Sequence, residues 1–200
     1  MIEITSADNT IFLIIGIILE FFVIILALFG DRIKKALWGP KLVIEIPSTK
    51  YNEFTRANGN IDKYYLFDVV NKRKSSANRV QVILDKIYEK DFDMPEYKPK
   101  TLNFPLLLTW QIIPEAPGGY IPVINTKKTI TYLSIVSNRI QISAYFVPKN
   151  SSLRIENNKN YIFQIHIESN EYVAKPYFLS FSFENNDISH IVLSKKIANF

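Results

Sequence analysis

The sequence opens on one long apolar segment. Between residues 11 and 29, 16 of 19 residues are Ile, Leu, Phe or Val, and the exceptions are Gly16, Glu20 and Ala27. A helix of this length extends about 28 Å, close to the thickness of the hydrocarbon layer of a bilayer. The apolar residues favour insertion by about 5 to 10 kcal/mol, whereas Glu20 costs about 3 kcal/mol. The pattern predicts a transmembrane helix over residues 11–29.

The flanks of this segment predict its orientation. Residues 1–10 contain no Lys or Arg, and no A-x-A cleavage site follows the apolar run, which favours a permanent anchor over a signal peptide. Basic residues crowd the other flank. By the positive-inside rule, residues 1–10 form a short extracytoplasmic tail and the rest of the chain is cytoplasmic. The absence of Cys is compatible with that location.

Residues 30–41 are expected to form a basic juxtamembrane linker. The helix can continue to Trp38, after which Gly39 and Pro40 end it. We expect five residues of this segment to lie among anionic lipid headgroups: Arg32, Lys34, Lys35, Trp38 and Lys41. The alternative is that they form only the basic flank that stops translocation.

The pattern changes after residue 41 to short apolar runs of period two, separated by Asn, Gly, Pro, Ser and Lys. This pattern is typical of β-strands. The predicted strands are 42–46, 64–70, 79–88, 106–112, 129–137, 139–147, 161–169, 177–184 and 189–194. About nine short strands predict an all-β cytoplasmic domain over residues 42–200, an antiparallel β-sandwich.

Alternation within the strands predicts which side chains are buried. Tyr177, Leu179, Phe181 and Phe183 alternate with mostly polar residues and are expected to face the core. Trp110 shares a face with Leu106 and Leu108, which favours a core ring over a ligand-stacking one. Three irregular stretches, 47–63, 89–103 and 114–128, are the expected places for partner recognition.

The chain is basic beyond the anchor. The whole chain carries a net charge of +5. The residues after 41 contain 20 Lys and Arg against 15 Asp and Glu. A basic domain tethered to an anionic leaflet is expected to lie on or near it.

Residues 63–84 carry a family resemblance. A Tyr-rich strand ends in Val69-Val70-Asn71, and a polar turn and a second strand beginning Ala77-Asn78-Arg79-Val80 follow. This segment resembles the hairpin of immunoglobulin-like and CARDB-type adhesion modules, which usually have Gly in that turn. The resemblance implies a binding or structural module, and it supplies no catalytic residues.

Residues suited to catalysis or metal binding are few. Of the two histidines, His166 falls on the polar side of its strand and is expected to be solvated, and His190 lies beside Asp187 in a turn. The D-x-D motif that begins at Asp91 lacks the remaining residues of a calcium loop. The sequence therefore predicts no enzyme, no cofactor and no metal site.

The densest basic run is Lys72-Arg73-Lys74, in a predicted turn. It is a possible anion-binding turn for a lipid headgroup, a phosphate or a nucleotide, and the alternative is a solvated turn. Nucleic acid is not the expected partner, because Tyr64-Tyr65 is the only aromatic pair nearby.

Glu20 is the costly residue of the anchor. A carboxyl in the bilayer can hydrogen-bond to its copy on a second helix, and Gly16, four residues earlier, would allow close approach. The alternatives are self-association through this face or a tolerated Glu.

Together these features predict a membrane-anchored β-sandwich that binds, senses or scaffolds a protein partner at the inner membrane face. The alternative is a membrane effector of the kind found in defence systems. In it, the β-domain senses a signal and the helices associate through Glu20 to perturb the bilayer.

Overall fold

The computed structural model describes residues 6–100, 102, 104–110, 121–136, 139–145, 155–171, 175–185 and 187–196. The chain divides into two compact units, residues 1–39 and residues 40–200. We call these the helical unit and the β unit.

The helical unit contains a single α-helix, α1, over Ser6–Trp38. Its segment Ile11–Lys34 is long and apolar enough to cross a membrane. The apolar side chains of this segment are exposed in the single chain, as expected of a surface that faces lipid rather than a protein core. The helix ends before Gly39 and Pro40, as their conformational preferences predict.

Thirteen β-strands occur among the described residues of the β unit. They are β1 (Leu42–Glu45), β2 (Tyr51–Thr55), β3 (Ile61–Asn71), β4 (Ala77–Asp91), β5 (Lys98–Lys100), β6 (Leu106–Leu107), β7 (Thr109–Trp110), β8 (Ile121–Ile124), β9 (Lys127–Val136), β10 (Arg139–Ile142), β11 (Lys159–Glu168), β12 (Tyr177–Glu184) and β13 (Asp187–Ser194).

These strands form two antiparallel sheets. The first sheet has the order β1-β3-β9-β10, with β2 paired to β3 and β7 paired to β9. The second has the order β13-β12-β11-β4-β5, with β6 and β8 paired to β4. The fold is therefore all-β, and its two sheets share one hydrophobic core, as in a β-sandwich.

Aromatic rings from both sheets meet in this core. The Tyr132 ring of the first sheet stacks on Phe67 at 5.6 Å and meets the edge of Phe163 of the second sheet at 6.5 Å. Phe163 in turn contacts Phe181 at 5.0 Å. The predicted inward set of β12 is buried, and so is Trp110, which confirms both alternation-based predictions.

The strand prediction was incomplete. Strands β2, β5 and β8 lie in stretches predicted to be irregular, and the described part of the predicted strand 106–112 is divided into β6 and β7. β2 is largely exposed and β5 is Lys-Pro-Lys, so neither shows the alternation that marks a half-buried strand. These strands form because the backbone of β2 pairs with β3 and the backbone of β5 pairs with β4. Residues 111, 112, 137, 146 and 147 of the predicted strands lie outside the described residues.

The segment that resembles an immunoglobulin-like hairpin does not form a hairpin. Its two strands, β3 and β4, lie in different sheets and pair with other strands. The turn over residues 72–76 therefore crosses between the sheets at one end of the β unit. This is the end at which the chain enters the unit, since Leu42 of β1 pairs with Asn71. We call it the entry end, and the opposite end the far end.

Candidate functional site

Asn71 organises the entry end. Its side chain is buried, and its Oδ1 accepts hydrogen bonds from the main-chain N–H groups of Lys41 and Arg73, both at 3.2 Å. Its Nδ2 donates to the carbonyl oxygens of Ser75 at 2.5 Å and Ile124 at 3.3 Å. One amide thus holds the first residues of the β unit, the basic turn and the end of β8 together.

Main-chain hydrogen bonds complete this arrangement. The N–H of Lys72 donates to the carbonyl of Lys41 at 2.9 Å, and the N–H of Asn71 donates to the carbonyl of Thr126 at 2.7 Å. Three stretches that are far apart in sequence therefore meet, and each carries Lys or Arg. We call their cations the entry surface: Lys41, Lys72, Arg73, Lys74, Lys127 and Lys128.

Two carboxylates neutralise part of this charge. Lys72 Nζ lies 2.5 Å from Glu45 Oε1, and Lys127 Nζ lies 3.1 Å from Asp68 Oδ2. Asp68 is buried and also accepts a hydrogen bond from the Thr129 hydroxyl at 2.7 Å. The entry surface thus combines six cations with two carboxylates, and a third carboxylate, Glu171, accepts hydrogen bonds from Asn78 close to the turn. Its positive excess is suited to an anionic ligand.

The predicted anion-binding turn thus belongs to a larger basic surface. Lys74 is exposed, Arg73 is half-buried, and Lys72 is engaged with Glu45. Sequence reasoning found Lys72, Arg73 and Lys74 but did not associate them with Lys41, Lys127 and Lys128. Only the pairing of β1 and β9 with β3 brings these residues together.

The predicted headgroup residues divide between helix and strand. Arg32, Lys34, Lys35 and Trp38 lie on the last turns of α1, where Arg32, Lys34 and Trp38 are exposed. Lys41 instead lies at the start of the β unit, on the entry surface. The helix therefore continues through most of the predicted linker.

Gly16 and Glu20 occupy one face of α1, because residues four apart are neighbours on a helix. The side chain of Glu20 is exposed among apolar side chains. A Cβ added at Gly16 would meet no atom within 4 Å. In the single chain, no other described residue covers this face.

His166 is not the solvated residue that sequence reasoning expected. Its Nδ1 lies 2.6 Å from Asp85 Oδ2 and its Nε2 lies 3.0 Å from Glu168 Oε1, on the outer face of the second sheet. Partial burial lowers the pKa of His166, but the bonds to the two carboxylates outweigh it and raise the pKa above its usual value. Through its contact with Asp85, His166 bridges β4 and β11.

The other predicted acidic groups have structural contacts. Asp187 accepts hydrogen bonds from the Tyr65 hydroxyl and, at 3.2 Å, from Lys63 Nζ. Asp91 Oδ1 lies 3.5 Å from Lys159 Nζ. His190 is exposed, with a backbone φ of 51° at an irregularity in the pairing of β12 with β13. Within the described ranges, no group of three potential ligands could hold a metal ion.

One pocket in the structure was not predicted from the sequence. A cavity of about 320 Å³ lies against the first sheet, lined by Tyr64, Thr109, Trp110, Thr131 and Ser143. Its volume is at the lower end of the range for small-molecule sites. Three of these residues carry aliphatic hydroxyl groups, which do not by themselves select a class of ligand.

Comparisons with known proteins assign this chain to no family. No protein-family model matches the sequence, and no curated protein matches it. Functional assignment therefore rests on the helix, the entry surface and the clusters described above.

Proposed function

We propose that this protein is a single-pass membrane protein whose cytoplasmic β-sandwich binds, senses or scaffolds a partner at the inner membrane face. The observation that carries the proposal is the long apolar helix joined directly to a β unit. We assign the protein no reaction and no cofactor. Its partners would be a protein, or a second copy of the chain, together with the anionic lipids of the inner leaflet.

An immunoglobulin-like topology of the β-sandwich belongs to this proposal. In immunoglobulin domains the second and third strands lie in different sheets. The crossing from β3 to β4 through residues 72–76 is of that kind, which supports the resemblance even though the segment is not a hairpin. Modules of this class act mainly through surfaces and loops rather than through a catalytic centre.

Orientation is the second part of the proposal. The basic residues Arg32, Lys34 and Lys35 follow the apolar segment, and residues 1–10 contain no Lys or Arg. This asymmetry favours a translocated N-terminus and a cytoplasmic β unit.

The test combines extraction, proteolysis and copurification of the full-length chain. We expect the protein to stay in the membrane pellet at alkaline pH, and trypsin to cleave the β unit in opened cells but not in sealed cells. A partner should copurify after mild solubilisation. Recovery in the soluble fraction would contradict the anchor, and cleavage on sealed cells would contradict the orientation.

A second candidate function is a membrane effector whose helices associate through Glu20. The specific observation is a carboxylate within an apolar span, with open space at Gly16 on the same face. A buried polar group that finds a partner on another helix favours association. Association would then perturb the bilayer when the β unit receives a signal.

Crosslinking in membranes separates this candidate from a neutral anchor. Glu20→Leu should reduce both oligomers and dye leakage, whereas Glu20→Gln should retain much of the association, because Gln also forms interhelical hydrogen bonds. Phe22→Leu, on another face of α1, is the matched control. Unchanged oligomers in Glu20→Leu would rule out association through this face.

A further inference from the structure

We propose that the entry surface docks on anionic phospholipid headgroups of the leaflet in which the helix ends. This inference rests on the membrane anchoring proposed above and adds the specific surface and the lipid class. It starts from the excess of positive charge at the end of the β unit where the chain enters.

With Trp38 among the headgroups, as the sequence predicts, the covalent chain limits how far the entry end can lie from the membrane. Only Gly39 and Pro40 separate Trp38, the last residue of the helix, from Lys41. Three residue steps span at most about 10 Å, which is close to the Debye length at physiological ionic strength. The far end lies about 35 Å from the entry end along the eleven residues of β3, several Debye lengths away, so the chain does not hold it near the leaflet.

Three lysines of the entry surface are available to headgroups. Lys41, Lys74 and Lys128 are exposed, and among the described residues none of them forms a salt bridge with a carboxylate. Lys72 and Lys127 form ion pairs with Glu45 of β1 and Asp68 of β3, so the positive excess of the surface rests mainly on the other cations. Such a cluster matches a layer of phosphate groups.

The same surface is poorly suited to nucleic acid. Single-stranded nucleic acids need exposed aromatic rings for base stacking. The nearest aromatic pair, Tyr64 and Tyr65, does not supply them, because Tyr65 is fully buried and bound to Asp187. Tyr64 lies midway along β3, opposite Ser134 of β9 rather than at the entry end. Lipid phosphate is therefore the anion that the geometry favours.

A fluorescent probe on the full-length chain tests the docking. The protein contains no Cys, so Ser76→Cys places a single label in the exposed basic turn, and Asp93→Cys places a matched label at the far end. Each labelled protein is reconstituted into vesicles of phosphatidylcholine alone or of phosphatidylcholine with phosphatidylglycerol. A soluble quencher then reports exposure of the label.

We expect the label at residue 76 to be shielded in vesicles that contain phosphatidylglycerol, and to be exposed in neutral vesicles or at high salt. The label at residue 93 should stay exposed throughout. Combining Lys41→Gln, Lys74→Gln and Lys128→Gln should lower the ratio of docked to undocked protein about fivefold per lysine. The control triple Lys50→Gln, Lys86→Gln and Lys98→Gln removes the same charge from other exposed sites and should leave shielding unchanged.

Several outcomes would overturn the inference. Equal shielding in neutral and anionic vesicles would contradict it, and so would an equal loss in the two triple variants. Shielding produced by an added oligonucleotide in neutral vesicles, but not by phosphatidylglycerol, would indicate a nucleic-acid surface instead. Protein that leaves the vesicles at alkaline pH would refute the anchor itself, whereas inserted protein without lipid dependence would refute only the docking.

Discussion

The two ends of the β unit use charged residues differently. At the far end, Lys159 Nζ lies 2.7 Å from Glu156, 3.6 Å from Glu89 and 3.5 Å from Asp91. These contacts raise the pKa of Lys159, led by the hydrogen bond to Glu156. At the entry end a neutral amide, Asn71, holds the loops together, and cations outnumber carboxylates.

This difference distinguishes charged side chains that stabilise the fold from charged side chains that remain available to bind a ligand. Where carboxylates surround a cation, the charges satisfy one another and fix neighbouring strands. At the entry end, main-chain and amide hydrogen bonds join the loops, and Lys41, Lys74 and Lys128 form no ion pair among the described residues. Substitutions at the two ends should therefore affect stability with different dependence on pH.

The largest effect is expected at Asn71. Asn71→Ala removes four hydrogen bonds that join the start of the β unit, the basic turn and β8. At about 1 kcal/mol per bond, partly offset by water, the free energy of unfolding should fall by about 2 to 3 kcal/mol. Urea unfolding of the solubilised full-length protein, followed by tryptophan fluorescence to which the buried Trp110 contributes, measures this change.

The loss in Asn71→Ala should be nearly independent of pH and salt, because no ionised side chain takes part. Asn58→Ala is the control, since Asn58 makes a local hydrogen bond to Asn60 in an exposed turn. A loss below about 0.5 kcal/mol in Asn71→Ala would mean that other contacts hold the entry end.

A smaller and pH-dependent effect is expected at Tyr65. Burial raises the pKa of Tyr65, and its hydrogen bond to Asp187 raises it further, so the hydroxyl stays protonated and donates. Burial raises the pKa of Asp187, but the hydrogen bonds that Asp187 accepts from Tyr65, Ile188 and Lys63 have the larger effect. The pKa of Asp187 is therefore lowered. Tyr65→Phe removes the donor that joins the two sheets and should cost about 1.5 kcal/mol at neutral pH.

The sign of the pH dependence follows from Asp187. Its pKa is lower in the folded state, so its contribution is present above the unfolded value and is lost as pH falls through the folded value. The difference between the wild type and Tyr65→Phe should therefore shrink below about pH 4. Tyr64→Phe, on the neighbouring residue of β3, is the control. If the difference in the free energy of unfolding persisted in acid, the contribution of Tyr65 would not depend on Asp187.

The smallest effect is expected at His166. Its pKa is raised by Asp85 and Glu168, so its stabilising contribution is full below the unfolded pKa of about 6.5 and is lost as pH rises through the folded value. His166→Gln should lower the free energy of unfolding by about 1 kcal/mol at pH 5 and by less at pH 9. His190→Gln, at an exposed site, should change stability at neither pH.

Alternation was a reliable guide where a strand has one buried face. It identified the inward residues of β12 and placed Trp110 in the core. It failed for β2 and β5, because strands without a buried face show no alternation. It also gave no sign that β3 and β4 belong to different sheets, since local pattern does not specify pairing partners.

The clusters were harder to predict than the strands. Glu168 lies two residues from His166 on the same strand face, so that contact was foreseeable from the sequence. Asp85 was not, because an irregularity in the pairing of β4 with β11, between Gln164 and Ile165, brings it to the histidine. The role of Asn71 was likewise hidden, since its four partners come from three separate segments.

The amino-acid sequence by itself determined the apolar helix, the all-β class and the basic character of the chain. The length of an apolar segment, the periodicity of apolar residues and the net charge are local or additive properties, so the sequence alone determines them. Only the tertiary structure decided that the basic turn lies beside Lys41, Lys127 and Lys128. It also decided that the charged residues of the far end form ion pairs with one another. These depend on strand register, which is set by packing among residues distant in sequence.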